Sequence, residues 1–558
     1  MVVAAPTFPS VKVDGSDLSA EAMARLQSVS VVDRLTSPDM FALHFADPDG
    51  SVLASAGLAV GSAIEISTTG RLSDEPVTLI SGEVCSIECE FDGLGFSSVA
   101  RGYDKSHRLA AGRKTATYQG VTYADIARQL AQAAGLEADV DDTQGVHDHV
   151  FQTNQSDLDF LYQVARLANR EFRVDGTTLR FKAPAESSAG PDEGDPESTT
   201  PTQLVCGAGL VSFRARMSAV GQVAKVQMRG WDPQAKQAIV GEADAVATNA
   251  RLATDVASLA RSVGGQTLVV VNHGVTDQES ANRLAQARAE QVGSAAYEAS
   301  GIAIGDPALR AGIAVSVTGA EPSLSGQWVI SGTRHEFERG TYRTHLEFNG
   351  RQDRSLFGLV NQGAGGGGGG GSERHPGVVV AIVDDNADPE ELGRVRLKYP
   401  WMGDQAVSFW ARVSAPGAGN QTGVTWIPQV GDEVLVAFEH GDPSHPIVLG
   451  GLWNGSDVVP FDYSSDLDAG KVTYCGFTSR TGHKISFYES SGESLIQLLT
   501  ADGKVSIVLD DRNEQVKVET TGKLVIDAQQ DVEIKAGGSM KLEASGQMTI
   551  KGATVALN

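Results

Sequence analysis

Cysteine is scarce in this chain: four in 558 residues, at Cys85, Cys89, Cys206 and Cys475. That excludes a disulfide-held scaffold. Cys85 and Cys89 share a face of a predicted strand, but no second pair completes a zinc site, so free thiols in a reducing compartment are expected. Basic residues are outnumbered, 45 Lys and Arg against 70 Asp and Glu, for a formal net charge of −25. Such a charge excludes phosphate backbones and anionic membranes as natural partners and favours solubility. No apolar run approaches the length of a transmembrane helix; VVVAIV at 378–383 is strand-sized. The opening MVVAAPTFPS has neither a basic nor an apolar region of signal-peptide type, so synthesis in the cytoplasm and export by another route are expected. Aromatics are few, at 6%, whereas glycine is abundant, at 63 residues. That balance favours β structure with many turns, in a chain long enough for three or four domains.

What is present is organised around the last stretch. From Glu514 the sequence aligns with itself every eight residues: EQVKVETT, GKLVIDAQ, QDVEIKAG, GSMKLEAS, GQMTIKGA, then TVALN. Three octads open with Gly522, Gly538 and Gly546. Positions three and five are apolar throughout: Val516 and Val518, Leu524 and Ile526, Val532 and Ile534, Met540 and Leu542, Met548 and Ile550. Residues between them are mostly charged. Period two predicts strands with one buried face, and period eight predicts a corner after each short strand. One such strand has too little core to stand alone. Three intertwined chains would bury the ten residues on a common axis and close one another's edges, each octad rising about 4.8 Å. The pattern therefore predicts a homotrimeric needle, a triple-stranded β-helix or β-prism. Upstream, Gly482, Gly492 and Gly503 open longer repeats of the same kind. Outward Asp527, Lys535, Glu543 and Lys551 alternate in sign and could stack between strands, but exposed pairs contribute little.

In chain order, residues 1 to about 110 alternate apolar and polar positions between turns, as in FALHF (41–45) and VTLISGEVCSIECEF (77–91), predicting an antiparallel barrel or sandwich. Thr122 to Ala134 is a predicted helix with Thr122 as cap and Asp125 three residues on, and Ser156 to Asn169 repeats the device with Asp159. A hairpin follows with Asp175–Gly176 as its turn. The acidic run 183–200 reads as an exposed connection. A third helix is expected from Gln278 to about Tyr297, capped by Thr276 and Glu279. Gly365 to Gly371 are seven consecutive glycines, a flexible boundary. A compact module of short strands then runs from about Pro376 to Asn454, with Val434, Val436 and Phe438 on one buried face and a turn at Gly441–Asp442–Pro443, as suits an OB-type barrel. The expected fold class is thus mainly β: a hub of β-barrels with a few inserted helices, an OB-type barrel and the C-terminal trimeric β-helix. The expected domains are a hub over 1–360 with helical insertions near 121–175 and 277–297, a glycine-rich linker over 361–375, the OB-type domain over 376–459 and the needle over 471–558.

Three segments carry a family resemblance: Trp410–Ala411–Arg412–Val413 followed by Pro416, Pro428 with Gly431–Asp432–Glu433–Val434–Leu435–Val436 and Phe438, and Gly441–Asp442–Pro443 with Pro446–Ile447–Val448. With the octads, they resemble the VgrG family, the spike proteins of contractile injection machines, and the related phage baseplate spikes. GYDKSHRL (102–109) and VHDHVFQTNQSDLDFL (146–161) are similar to the hub half of the same family, in particular its version in extracellular, phage-tail-like particles. The resemblance implies two similar barrels per chain, forming in the trimer a ring of six on which a hexameric tube stacks. It implies a structural protein without cofactors, joining inner tube to tip and piercing the target envelope as the sheath contracts. It further implies baseplate and tube-initiating partners, possible effector cargo, and delivery to the cell exterior within an injection particle. A conical PAAR-repeat protein caps relatives at the needle end; here the expected docking residues are Thr554, Val555, Ala556, Leu557 and Asn558, whose apolar members and open edges invite a cap.

Other chemistry reads more weakly. His147–Asp148–His149 could offer two metal ligands from one strand face, but no third is placed nearby, and no metal site is expected. His440 and His445 flank a turn and read as turn polarity. Asp510–Asp511 could be half of a glycosidase pair, as in trimeric spikes that degrade surface polysaccharide, which is the alternative function. Such a site needs a groove built by long loops, so no catalytic residue is expected. OB barrels can bind single strands through basic grooves and stacked aromatics. Residues 373–455 hold five Lys and Arg against eleven Asp and Glu, so no nucleic acid is expected, and Trp401, Trp410, Trp426 and Trp453 are expected in the core or in trimer contacts.

Overall fold

The computed structural model describes residues 7–556 apart from 36, 72–74, 93–94, 192–201, 233–234, 272–274, 276, 351–376 and 404–405. The glycine run Gly365–Gly371, most of the acidic run, Thr276, Leu557 and Asn558 lie outside the described residues. The chain divides into two compact units, 1–452 and 453–558.

The first unit is built on an eleven-stranded antiparallel sheet. Its spatial order is Leu210–Met217, Tyr297–Ile304, Thr341–Phe348, Gly332–Glu338, Leu26–Arg34, Met40–Ala46, Gly95–Asp104, Pro76–Asp92, Ala63–Thr69, Ser10–Val13, Ser16–Asp17. Alternation along these strands puts every second side chain inside, as in Val29 and Val31, or Phe41, Leu43 and Phe45. Two cores form along the sheet. One gathers Val31, Phe45, Ile66 and Leu79, the other Tyr297, Trp328, Ile330 and Phe348. The halves meet where Gly332–Glu338 pairs with Leu26–Arg34, Phe337 opposite Val29.

Residues inserted after Asp104 form a third core around Ile126, Phe160, Leu161 and Phe181. Thr122 closes a capping box: its Oγ1 accepts from the Asp125 N–H at 3.1 Å and the Asp125 carboxylate accepts from the Thr122 N–H at 3.0 Å. Helix Tyr123–Ala133 follows. Ser156 caps Asp157–Leu167 in the same way through Asp159 N–H. The hairpin pairs Asp175 with Thr178, so its two turn residues are Gly176 and Thr177, one position later than the sequence reading. Gly176 takes the positive φ (60°) the turn needs. The third helix spans Gln278–Ser294, shorter than expected, and its cap is Asp277, whose Oδ1 accepts from Ser280 N–H at 2.7 Å.

The OB-type module also belongs to the first unit. Its strand order is Arg396–Lys398, Val378–Asp385, Glu433–Phe438, Pro446–Gly451, Arg412–Val413. Val434, Val436 and Phe438 are buried together with Ala381, Val383, Leu397 and Tyr399. One residue from the inserted hub region, Phe151, is part of that core.

In the second unit five strands, Tyr474–Thr478, Lys484–Glu489, Ser494–Leu499, Val505–Asp510 and Gln515–Thr520, form one antiparallel meander. Gly482 and Gly503 turn with positive φ, 93° and 69°. From residue 521 to 556 the chain has no strand partner within itself.

Candidate functional site

The meander has one apolar face. Register places Phe477 opposite Ile485, and Cys475 opposite Phe487. Ile485 and Phe487 lie opposite Leu498 and Ile496, which in turn face Ile507 and Leu509. These two oppose Val518 and Val516. The strip is continuous across all five strands, and most of it is exposed in the single chain. The ten octad residues extend it: Val516, Val518, Leu524, Ile526, Val532, Ile534, Met540, Leu542, Met548 and Ile550 are 50% to 70% exposed. The residues upstream of 514 were missed as candidates, although their period-two pattern is the same signal. An apolar strip of this length is not a stable solvent-facing surface. Apart from the Thr521 N–H, which donates to the Lys504 carbonyl at 3.0 Å, backbone groups of 521–556 also lack within-chain strand partners, a second demand for external pairing. Charges on the other positions pair along the chain: Lys517 with Glu519 at 2.9 Å, Lys535 with Glu533 at 2.5 Å, and Lys541 with Glu543. These are links two residues apart, and they are fully solvated.

The second arrangement is the junction of the hub with the OB module, a cleft of about 820 Å³. Strand His147–Gln155 forms one wall. His149 Nε2 lies 2.8 Å from the Val407 carbonyl of the OB module, and an acceptor there fixes Nε2 as the protonated nitrogen. The His149 ring stands 5.9 Å from Phe151 and 6.3 Å from Phe409. On the OB wall His445 Nδ1 is 3.5 Å from Asp442 Oδ2, an ion pair too long for a good hydrogen bond. Inside the OB module the strongest polar contact is Arg394 on Asp388, with Nη2–Oδ1 2.7 Å and Nε–Oδ2 3.0 Å. The fork holds the Asp388 carboxyl well below the usual carboxylate range.

Comparison with known proteins gives the family of the first unit and of the OB module. Residues 6–339, more than half of the chain, match the family described as the Alg8 N-terminal domain, and 379–453 match the type VI secretion system/phage-baseplate injector OB domain. The actin cross-linking toxin VgrG1 of Vibrio cholerae is 24% identical over 42% of this chain and 23% of its own length. The type VI secretion system spike protein VgrG1a of Pseudomonas aeruginosa is 32% identical over 19% of this chain and 16% of its own. The chain belongs to the Alg8 N-terminal domain family and is a VgrG-family spike protein. It spans between 13% and 23% of the length of the curated relatives it matches. The fold is shared with the chain solved as the Francisella PdpA–VgrG complex, lidded, at TM-score 0.53 and 8% identity, over 92% of this chain and 80% of that one.

Within this VgrG-family chain the remaining candidates fall into place individually. His147 packs against Tyr123 with the rings tilted by 33° and their centroids 4.0 Å apart, while His149 Nε2 is committed to Val407. Among the described residues no group of three His, Cys, Asp or Glu is placed to hold a metal. His445 is paired with half-buried Asp442 and lines the junction, so it is more than turn polarity. The Asp510 carboxylate accepts from Asn513 N–H at 3.0 Å and from Asn513 Nδ2 at 2.7 Å, closing a turn on a solvated corner. Trp401, Trp426 and Trp453 are exposed in the single chain, so of their two expected places the chain's own core is ruled out and a trimer contact is left; Trp401 Nε1 donates to the Val380 carbonyl at 2.7 Å, and Trp410 is half-buried in the cleft wall. These indoles sit on loops, where apolar content signals a surface contact as readily as a core. Thr554, Val555 and Ala556 are exposed at the end of the described chain. No described helix is long and apolar enough to cross a membrane.

Proposed function

We propose that this chain is the hub and puncturing spike at the tip of a contractile injection apparatus, acting as a homotrimer and without enzymatic chemistry. The supporting observation is the apolar strip of the second unit, continuous by strand register from Phe477 to Val518 and followed by the exposed apolar octad residues as far as Ile550, all solvent-facing in one chain. Three copies would bury it on one axis and give residues 521–556 the strand partners they lack. The trimer core then comprises the ten octad residues together with Ile485, Phe487, Ile496, Leu498, Ile507 and Leu509. Hub, OB module and needle would occupy about 1–360, 376–459 and 471–558, with 361–375 linking hub to OB. The stiff prism concentrates the force of sheath contraction, the hub seats the tube-initiating protein, and the particle carries the chain to the exterior. A PAAR-repeat cap docks on Thr554 to Asn558, one per three chains.

Light scattering tests the reading: one chain weighs 58.5 kDa, and the purified protein should measure three times that mass. A folded monomer at micromolar concentration would refute it. Deleting 554–558 should abolish co-purification of the cap and leave the trimer intact; unchanged capture of the cap would overturn the docking assignment alone.

A further inference from the structure

The inserted hub region and the OB module are joined at a cleft where three imidazoles, His147, His149 and His445, each keep one buried ring nitrogen without a hydrogen-bond partner, and of these His149 alone hydrogen-bonds across the junction, to the Val407 carbonyl. Phe151, two residues on, is inserted in the OB core. His149 donates through Nε2 to Val407, but its buried Nδ1 has no partner. We infer that His149 makes the hub–OB junction a proton-operated latch, closed while its imidazole is neutral and loosened when Nδ1 takes up a proton.

The groups around it decide the direction. Across the cleft the His445–Asp442 pair already carries one cation. Burial opposes charge on His445, but the pull of the Asp442 carboxylate, aided by Glu439, outweighs burial, and its pKa is raised. Burial is the main cause that lowers the pKa of His149; the Val407 carbonyl opposes it, the His445 cation lowers it further, and Asp442 offsets part of that cation's effect. On the same strand burial and then Arg283 lower His147. The other charged groups lining the cleft are largely engaged elsewhere. Arg412 is 3.3 Å from Glu439, and Arg394 holds Asp388 and Glu390. Asp277 caps its helix, and Arg283 binds Glu279. Asp148 is a lining neighbour whose charge would favour protonation of His147 rather than oppose it. Asp232 lines the far side, with partners of its own, and Tyr123 is kept neutral by burial, its pKa raised to about 12.

The sign is then fixed. A group whose folded pKa lies below its free value stabilises the closed junction above the free value, near 6.5, and that contribution is lost as pH falls. At pH 5 to 6 His445 keeps its charge, so a proton on His149 sets a second buried cation in the same cleft. Acid surroundings would therefore part the OB module from the hub insertion while each keeps its own core. The inference stands on the junction geometry and holds whether or not the spike reading does.

Hydrogen exchange of the full chain, with rates corrected for intrinsic pH dependence, tests it at pH 7.5, 6.0 and 5.0. Peptides over 147–155 and 406–413 should lose protection about tenfold between pH 7.5 and 5.0, while the hub strand 332–338 stays protected. His149→Gln keeps a donor for Val407 without titrating, and should hold protection constant over the range. Unchanged protection in the natural chain, an equal loss at 332–338, or a full loss in the His149→Gln variant would each overturn the latch. If that variant does not fold, His445→Gln decides: removing the resident cation should move the transition to higher pH, and an unmoved transition refutes the mechanism.

Discussion

At the scale of single residues, buried charge and buried neutrality carry distinct consequences. Arg394 is nearly inaccessible, and its fork on Asp388 also satisfies a loop whose N–H groups at Glu390, Leu392 and Arg394 point at the same carboxylate. Asp388→Asn takes the bidentate counter-charge from a buried guanidinium and leaves it only the more exposed Glu390, at a cost of about 3 kcal/mol. A lower melting transition of the OB module, by several degrees, is the expected outcome in a thermal scan. His335 is the opposite case. It sits in the hub core, 2.9 Å from the Tyr342 hydroxyl, and burial pushes its pKa down to about 3. Because the folded value is depressed, its contribution is whole above pH 6.5 and is lost as pH falls toward 3, at up to about 1.4 kcal/mol per pH unit. Hub stability measured by denaturant should decline over that window. In His335→Asn, which retains an acceptor for Tyr342, the decline should flatten even if the variant starts lower.

At the scale of elements, what was legible depended on how local the signal was. The capping box at Thr122–Asp125 and the Ser156 cap are complete within four residues, and both form as the sequence implies. The third helix has Thr276 and Asp277 side by side before the first turn, and pattern alone did not choose the residue that caps it. The hairpin turn slipped by one position because Asp175–Gly176 and Gly176–Thr177 both satisfy a glycine-bearing tight turn; strand pairing selects the second. Long-range placement was not legible at all. Nothing near Phe151 or His149 in sequence announces that they serve the OB module more than two hundred residues later. The repeat was legible both at period eight and in the longer repeats opened by Gly482, Gly492 and Gly503, but the apolar residues of the longer repeats were not assigned to the shared core, because longer corners blur the spacing. That omission yields a prediction. Leu498 lies opposite both Ile485 and Ile507 on the exposed face. Leu498→Asp should therefore block trimer formation as completely as a charge in the octads, since carboxylates would be buried unpaired at several kcal/mol each. Light scattering on Leu498→Asp would read this directly; a stable trimer would remove the upstream strands from the shared core.

At the scale of the whole molecule the two halves of the needle differ in what they need from partners. Residues 474–520 satisfy their own backbone through five antiparallel strands and require neighbours only to cover one face. Residues 521–556 have neither a covered face nor within-chain strand pairing, so assembly must supply both. A variant that blocks trimerisation from the far end, Ile534→Asp, separates these demands. In the intact trimer, backbone amides should be protected from exchange along the whole needle. In Ile534→Asp, protection over 524–550 should fall to that of an unfolded chain, because no partner backbone is present and an isolated extended strand is not stable in water. Amides paired inside 484–510 should retain measurable, though reduced, protection, since their hydrogen bonds are made within one chain. The first unit, with its own buried cores, should be unaffected. Equal loss across 484–550 would mean that the meander, too, exists only in the trimer. Retained protection over 524–550 in a chain of monomer mass would show that the octads fold without partners, and the trimeric needle would be wrong.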